Sequence, residues 1–258
     1  MTFFATMSPA KRFHKIDPPE SFKATEPVFK NQAAVLATMM ATQSANEIAD
    51  LMHVSASIAA LNYQRYQAFF SAQPHEYLPS IFGFAGDAFK ALEAHTFTFS
   101  MLLHCQSHLG ILSGLYGLLR PFDQILPYRL EMGTPTERII DCNLYTYWRA
   151  LVTEQLDASI KNVNASQHLN LASEEYAKVI DRKALSVPTV DVIFARKTED
   201  SYKIIGILAK RMRGHMARYL SENNPTTLEA LKSFSMHDFH FSAADSTDHK
   251  LVYLQEAA

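Results

Sequence analysis

Hydrophobic and polar positions divide this chain into short apolar runs and longer amphipathic stretches. Residues 3–7 are continuously apolar and are stopped by Ser8-Pro9, which predicts a buried β-strand that delivers Ser8 and Lys11 to its carboxyl end. Over 27–41 and 45–71 the apolar groups recur at helical spacing, with Ile48, Leu51 and Met52 followed by Ile58, Leu61, Tyr66 and Phe69. Ser55 interrupts that stretch as an expected helix cap. Helices are also predicted over 87–94, 96–108, 144–160, 210–220 and 227–232, with a further one capped by Ser173. Strands are predicted over 167–171, 239–241 and 251–254, and 187–195 pairs with 202–209 across the charged turn 196–200. No repeat, low-complexity tract or linker divides the chain. The expected fold is therefore a single α/β domain over 1–258 with a mixed sheet, an α+β arrangement being the alternative, and 27–71 forms a helical subregion.

The stretch from Leu112 to Gly133 breaks this pattern, setting Arg120, Arg129, Tyr116, Tyr128, Asp123 and Glu131 among Gly114, Gly117, Pro121, Pro127 and Gly133. Each Gly costs roughly 1 kcal/mol and each Pro about 3 kcal/mol inside a helix, so a structured loop is expected, and a site more than a core.

Composition narrows the classes. With 258 residues, 48% of them hydrophobic, the chain has enough apolar side chains for a large core. A net charge of -2 gives no global attraction to nucleic acid, so any such binding needs a local patch. Cys105 and Cys142 lack disulfide or metal-type spacing and read as reduced thiols. The N-terminus has no basic n-region before Pro9, which implies a soluble, cytoplasmic protein without a membrane span.

Three constellations carry chemistry. Lys210, Arg211, Arg213 and Arg218 lie on one basic helix around Gly214, as an anion site or as a solvated face with internal ion pairs. Gly214 at mid-helix implies close approach of another backbone or a ligand. In the central run, Arg120 and Arg129 either pair with Asp123 and Glu131 as staples or face a pocket with Ser113, Tyr116 and Tyr128. After the strand at 167–171, Asn170, Ser173, Glu174 and Glu175 occupy the place where open α/β sheets gather ligands; Glu174 or Glu175 is then a candidate general base or an ordinary helix-start acid. The eleven histidines read as scattered, with no zinc-type cluster, and no metal or cofactor is expected. Gly-x-Gly-x-x-Gly, the Gly-Lys-Ser phosphate loop and the Gly-x-Ser-x-Gly elbow are absent, which disfavours the common nucleotide enzymes and hydrolases.

Ser8-Pro9-Ala10-Lys11, the run 112–133, Leu144-Tyr145 with Trp148, the segment Asn170 to Tyr176, and Arg213-Gly214 with Ala217-Arg218 together resemble the YaaA family of bacterial peroxide-stress proteins. The resemblance implies a compact α/β body, a cytoplasmic role in limiting damage from hydrogen peroxide and free iron, and DNA binding through a positive cleft and a helix-hairpin-helix-like element. That element maps onto residues 48–62 with its turn near 53–55. Ala56-Ser57 stand where members often carry Asp-Lys, and Ala85 where Lys is common. The expected anion contacts are Lys11, Arg120, Arg129, Lys210, Arg213 and Arg218, supported by Ser8, Ser113, Tyr116, Tyr128, Glu131 and Asn170. Double- or single-stranded DNA is the expected partner of a monomer, and the alternative is an enzyme acting on a small phosphorylated or carboxylated metabolite.

Overall fold

The first apolar run forms strand β1 (Phe3–Met7), buried along its whole length. The computed structural model describes residues 2–19, 22–199 and 201–256. Three helices follow, α1 (Lys30–Ala41), α2 (Ala45–Met52) and α3 (Ala56–Ala68). Ser44 and Glu47 start α2 with a reciprocal capping box, and the Ser55 hydroxyl accepts the Ile58 N–H at 3.5 Å to start α3. Between them His53 turns the chain at φ 50°, so α2 and α3 form a helical hairpin. Leu36, Met40, Ile48 and Tyr66 of these helices join the same hydrophobic cluster as the sheet.

Strand β2 (Leu78–Pro79) and helices α4 (Ser80–Gly83), α5 (Asp87–Leu92) and α6 (Phe99–His108) lead into the central run. There the structure corrects the sequence reading, because the segment is core. It contains the end of β3 (Leu109–Ser113), then β4 (Gly117–Leu119) and β5 (Gln124–Ile125), and Leu112, Leu115, Tyr116, Phe122, Tyr128 and Leu130 are all buried. Trp148 supplies the reason. Its indole N–H donates to the Gly114 carbonyl at 2.9 Å, and its ring lies where a Cβ on Gly117, at φ +69°, would come within 2.7 Å. Gly117 admits a large aromatic side chain against the backbone, and Gly114 admits the Leu130 carbonyl, instead of loosening a loop.

The remaining elements are α7 (Glu137–Ile140), α8 (Leu144–Asn162), β6 (Gln167–Leu171), α9 (Glu174–Ala177), β7 (Thr189–Lys197), β8 (Tyr202–Lys203), α10 (Gly206–Asn223), α11 (Leu228–Lys232), β9 (Phe239–Phe241) and β10 (Lys250–Gln255). The strand expected over 202–209 keeps only its first two residues, which pair antiparallel with β7. Asp200 of the expected turn lies outside the described residues. From Gly206 onward the buried positions Ala209, Met212, Met216 and Leu220 follow helical spacing, so the helix period prevails over alternation.

The main sheet is mixed, with order β4-β3-β1-β6-β7-β10-β9 and β8 attached to β7. Strands β3, β1, β6, β7 and β10 run parallel, whereas β4 and β9 are antiparallel to their neighbours. This is an α/β fold. The chain leaves β1 for β3 on one side, and leaves β6 for β7 on the other. The direction of winding therefore reverses between β1 and β6, which places a crevice at their carboxyl ends.

Helix α10 packs on α5 at Gly214, where a Cβ would overlap the Ala88 carbonyl. Replacing Gly214 with Ala forces the helices apart and should lower stability by about 1–3 kcal/mol, read as a reduced urea midpoint; an unchanged midpoint would contradict the packing. Deeper in the sheet, His168 bridges Thr6 at 2.8 Å and Thr189 at 3.1 Å, and burial pushes its imidazole down to about 3 from 6.5. Below pH 6.5 the unfolded chain takes up a proton that the folded state refuses, so stability present at neutral pH falls as the pH drops toward 3. Between about pH 7 and about pH 5 this linkage removes roughly 2 kcal/mol. Denaturation at the two pH values should show a larger drop for the wild type than for His168→Gln.

Candidate anion-binding site

Strands β1 and β6 pair in register from Phe3–Gln167 to Met7–Leu171, and the chain ends leaving them meet at once. The Ser8 hydroxyl accepts the Ser173 N–H at 2.8 Å and donates to Ser173 Oγ at 3.2 Å. Ser173 is the cap residue just before α9, but its hydroxyl makes no capping bond there, because it is held by Ser8.

A cleft of about 380 Å³ opens above this junction, lined by Ser8, Lys11, Arg12, Lys90, Glu175, Lys210 and Arg213 together with the start of α5. Lys11, Arg12, Lys90 and Lys210 are exposed on its rim. A second hollow of about 450 Å³ adjoins it, lined by Asn170, Glu174, Lys178, Arg182, Asp191 and Arg213. It exists because β6 stops at Leu171 whereas β7 continues to Lys197, leaving a notch beside β7. Arg213 borders both spaces.

The floor of the notch is a closed polar network. Arg182 holds Asp191 with two bonds of 2.8 Å, and the Asn170 amide donates to the same carboxylate at 2.7 Å. Asn170 Oδ1 in turn accepts the Ala172 N–H at 3.0 Å. Burial works to raise the Asp191 pKa, but the bonds from Arg182 and Asn170 outweigh it and the carboxyl sits below its usual range.

Arg213 differs from every other cation here. Its Nε is buried without a hydrogen-bond partner, and burial lowers the guanidinium pKa against the opposing pull of Asp191. Among the described residues it has no carboxylate within ion-pair distance, and a half-buried guanidinium in that state is costly unless a ligand completes it.

The remaining expected contacts divide clearly. Lys11 lines the cleft and pairs with Glu131 at 2.7 Å, and Glu131 is also held by Arg129 at 2.8 Å. Arg120 lies apart from both hollows, bonded to the fully buried Asp123 at 2.8 and 3.1 Å. Arg218 is also apart, spanning Glu222 at 2.8 Å, Thr96 at 2.8 Å and the Leu92 carbonyl at 3.2 Å. Both are structural staples. Tyr116 and Tyr128 are 4% exposed, and their hydroxyls engage the Leu126 N–H and Ser113, so neither ring has a face free for a base and Ser113 is buried beneath them. Glu175 lines the cleft and accepts the Gly133 N–H at 3.2 Å. Glu174 faces the other hollow and pairs with Lys178 at 3.0 Å.

Sequence reasoning missed Arg12, Lys90, Arg182 and Asp191. Arg182 and Asp191 come together only because β7 pairs with β6 at Asn170–Asp191, a register that no local pattern announces. Cys105 is buried against Ser221, and burial pushes its thiol up to about 12, so it holds almost no thiolate at neutral pH.

Stability measurements should separate staples from site. Asp123→Ala leaves Arg120 without its buried partner and is expected to cost about 3 kcal/mol or more, whereas Arg213→Met removes an unpaired, half-buried charge and should leave the denaturation midpoint unchanged or raised. Equal destabilisation by the two changes would show that Arg213 is another staple.

Comparison with known proteins finds matches along almost the whole chain. The family described as peroxide stress protein YaaA matches residues 3–245. A UPF0246 protein of Legionella pneumophila (strain Lens) is 41% identical over 252 residues, covering 96% of this chain and 98% of that protein. A UPF0246 protein of Polaromonas naphthalenivorans (strain CJ2) is 40% identical over 248 residues, covering 96% of each. A third, from Neisseria gonorrhoeae (strain ATCC 700825 / FA 1090), is 36% identical over 253 residues, covering 98% of each.

Proposed function

Since the chain belongs to the peroxide stress protein YaaA family, we propose that it acts in the peroxide-stress response by binding nucleic-acid phosphates in the cleft between β1, β6, α5 and α10. One observation carries this reading: Arg213, with a buried Nε that makes no hydrogen bond, lies beneath a rim of exposed Lys11, Arg12, Lys90 and Lys210. Five cations line the cleft against the two acids Asp87 and Glu175. This local excess supplies the patch that a net charge of -2 does not. Contacts of this kind position a phosphate backbone without reading its sequence. Because Tyr116 and Tyr128 are buried, they offer no stacking platform for single strands, and a duplex is the favoured partner. The turn at 53–55 of the α2–α3 hairpin holds no Lys or Arg, so the cleft provides the charge.

A second reading rests on size. Hollows of about 380 and 450 Å³ fall in the range of about 300–1,000 Å³ typical of small-molecule sites, and Glu175 borders the first as a candidate base. Here a small phosphorylated or carboxylated metabolite takes the place of the backbone phosphate on Arg213.

A salt titration of duplex binding tests both. Log affinity should fall with log salt by about 0.9 per phosphate neutralised. Arg213→Ala and Lys210→Ala should each weaken binding and flatten that slope, whereas Arg120→Ala should leave both unchanged. A flat salt dependence, or indifference to Arg213→Ala, would overturn the nucleic-acid reading. Thermal stabilisation by a nucleoside monophosphate that Arg213→Ala abolishes, without duplex binding, would establish the second.

A further inference from the structure

On the opposite part of α10 from Arg213, two histidines come together from distant parts of the chain. His215 projects from the helix and His237 from the turn before β9, and their Nε2 atoms lie 3.2 Å apart with ring centroids at 4.9 Å. By sequence the histidines read as scattered. In the structure His237 precedes the strand and finds its partner 22 residues away.

The turn holding His237 is built to fix it. Met236 and Phe239 exchange both backbone hydrogen bonds, at 3.3 and 2.9 Å, and the two residues between them have φ 50° and φ 62°. These are the features of a two-residue type I′ hairpin, normally formed by Asn-Gly or Asp-Gly. His237 thus occupies a left-handed position, one that histidine adopts more readily than most side chains. The Gln255 amide further holds the His237 carbonyl at 3.1 Å. His215 is fixed by its helix, between the buried residues Gly214 and Met216.

We propose that His215 and His237 form a two-histidine binding site for a divalent transition-metal ion of the zinc type. Two imidazole nitrogens bound to one tetrahedral zinc at about 2.0–2.1 Å lie about 3.4 Å apart, and the observed separation is close to that value. Imidazole suits zinc, copper and nickel alike, so the site is defined by its nitrogen pair more than by one metal. Among the described residues no group of three or more His, Cys, Asp or Glu side chains gathers around a common point. The ion therefore keeps open positions for water or an exogenous ligand, and the site cannot be a closed structural one.

Neighbouring charges permit a cation here. His215 is influenced by His237, Glu93 and Arg218. Arg218 is already engaged by Glu222 at 2.8 Å and by Glu93 at 3.7 Å, which offsets its repulsion.

The chain carries a second histidine pair that serves as an internal control. His104 and His108 stand four apart on α6, a spacing used by zinc-binding helices and one that the reading of scattered histidines passes over. Their rings stack at 4.1 Å with planes only 4° apart. Lone pairs lying in two parallel ring planes do not converge on one ion, and His108 Nδ1 is directed at the His104 carbonyl and Ser107.

The test is a calorimetric titration of the full chain with Zn²⁺ near neutral pH. One equivalent should bind to the wild type, and His237→Ala and His215→Gln should each weaken binding roughly tenfold or more. The double change His104→Gln/His108→Gln should leave binding intact. His237 is exposed, so its replacement does not endanger folding, and Nε2 resonances of both His215 and His237 should shift on addition of Zn²⁺. Absence of binding, binding indifferent to His237→Ala, or loss confined to the His104/His108 variant would overturn the proposal and leave the contact as a neutral N–H to N hydrogen bond. The readout is independent of nucleic-acid binding, so its result and that of the cleft can be told apart.

Discussion

The closeness of α10 to α5 governs most of what this molecule presents to its surroundings. No side chain fits between Gly214 and the Ala88 carbonyl, so the two helices meet backbone to backbone. From that contact Lys210 and Arg213 reach the cleft, Arg218 reaches the end of α5 and the turn beyond it, and His215 reaches the hairpin of β9. One glycine thus aligns the proposed anion site, a staple and a histidine pair along a single helix. A side chain at 214 would displace all three together, because a rigid helix cannot absorb the shift locally.

The second constraint is the polar layer running through the sheet. Thr6, His168 and Thr189 link β1, β6 and β7, and two residues further along β6 and β7 Asn170 and Asp191 form the floor of the notch with Arg182, which comes from the turn before β7. Side chains two apart in a strand share a face, so the buried ladder and the notch floor belong to one continuous stripe. Among the described residues, none of its buried side-chain nitrogens or oxygens lacks a partner, as burial demands. Arg213 breaks the rule at the edge of the stripe, with a buried Nε that has none. Such an exception is informative only because the surrounding network is complete.

Much of the frame was legible in the chain. The apolar run of β1, the helical periods of α3, α8 and α10, and the close approach at Gly214 all follow from local spacing. Gly and Pro in the central run are loop signals by composition, whereas Gly117 makes room for Trp148 and Gly114 for the Leu130 backbone; an aromatic ring 31 residues from Gly117 leaves no mark on local composition. The candidate site was half legible. Ser8, Lys11, Lys210 and Arg213 line the cleft, and each follows from a strand end or a helix face. Arg120 and Arg218 carry the same charge but have neighbours that absorb it, and whether an arginine is paired depends on tertiary contacts that composition does not contain. Asp191 and Arg182 were invisible for a related reason, since the register between β6 and β7 brings them to Asn170.

The distribution of pairing among the arginines also bears on what the cleft prefers to bind. Arg120, Arg129, Arg182 and Arg218 all have carboxylate partners at 2.8 Å, so an incoming anion would have to compete with a bond already made. On the rim Lys11 is partly neutralised by Glu131, and Arg211 stands 3.8 Å from Asp87, but exposed pairs of this kind are worth only about 0–1 kcal/mol and yield readily. A ligand therefore gains most at Arg213 and modestly from several flexible lysines around it. A phosphate group satisfies that arrangement best: it can take both faces of the guanidinium fork while its spare charge is shared along the rim. A polymer of phosphates adds further rim contacts at little cost in order, whereas a small ligand draws its affinity from Arg213 and the walls of the two hollows alone.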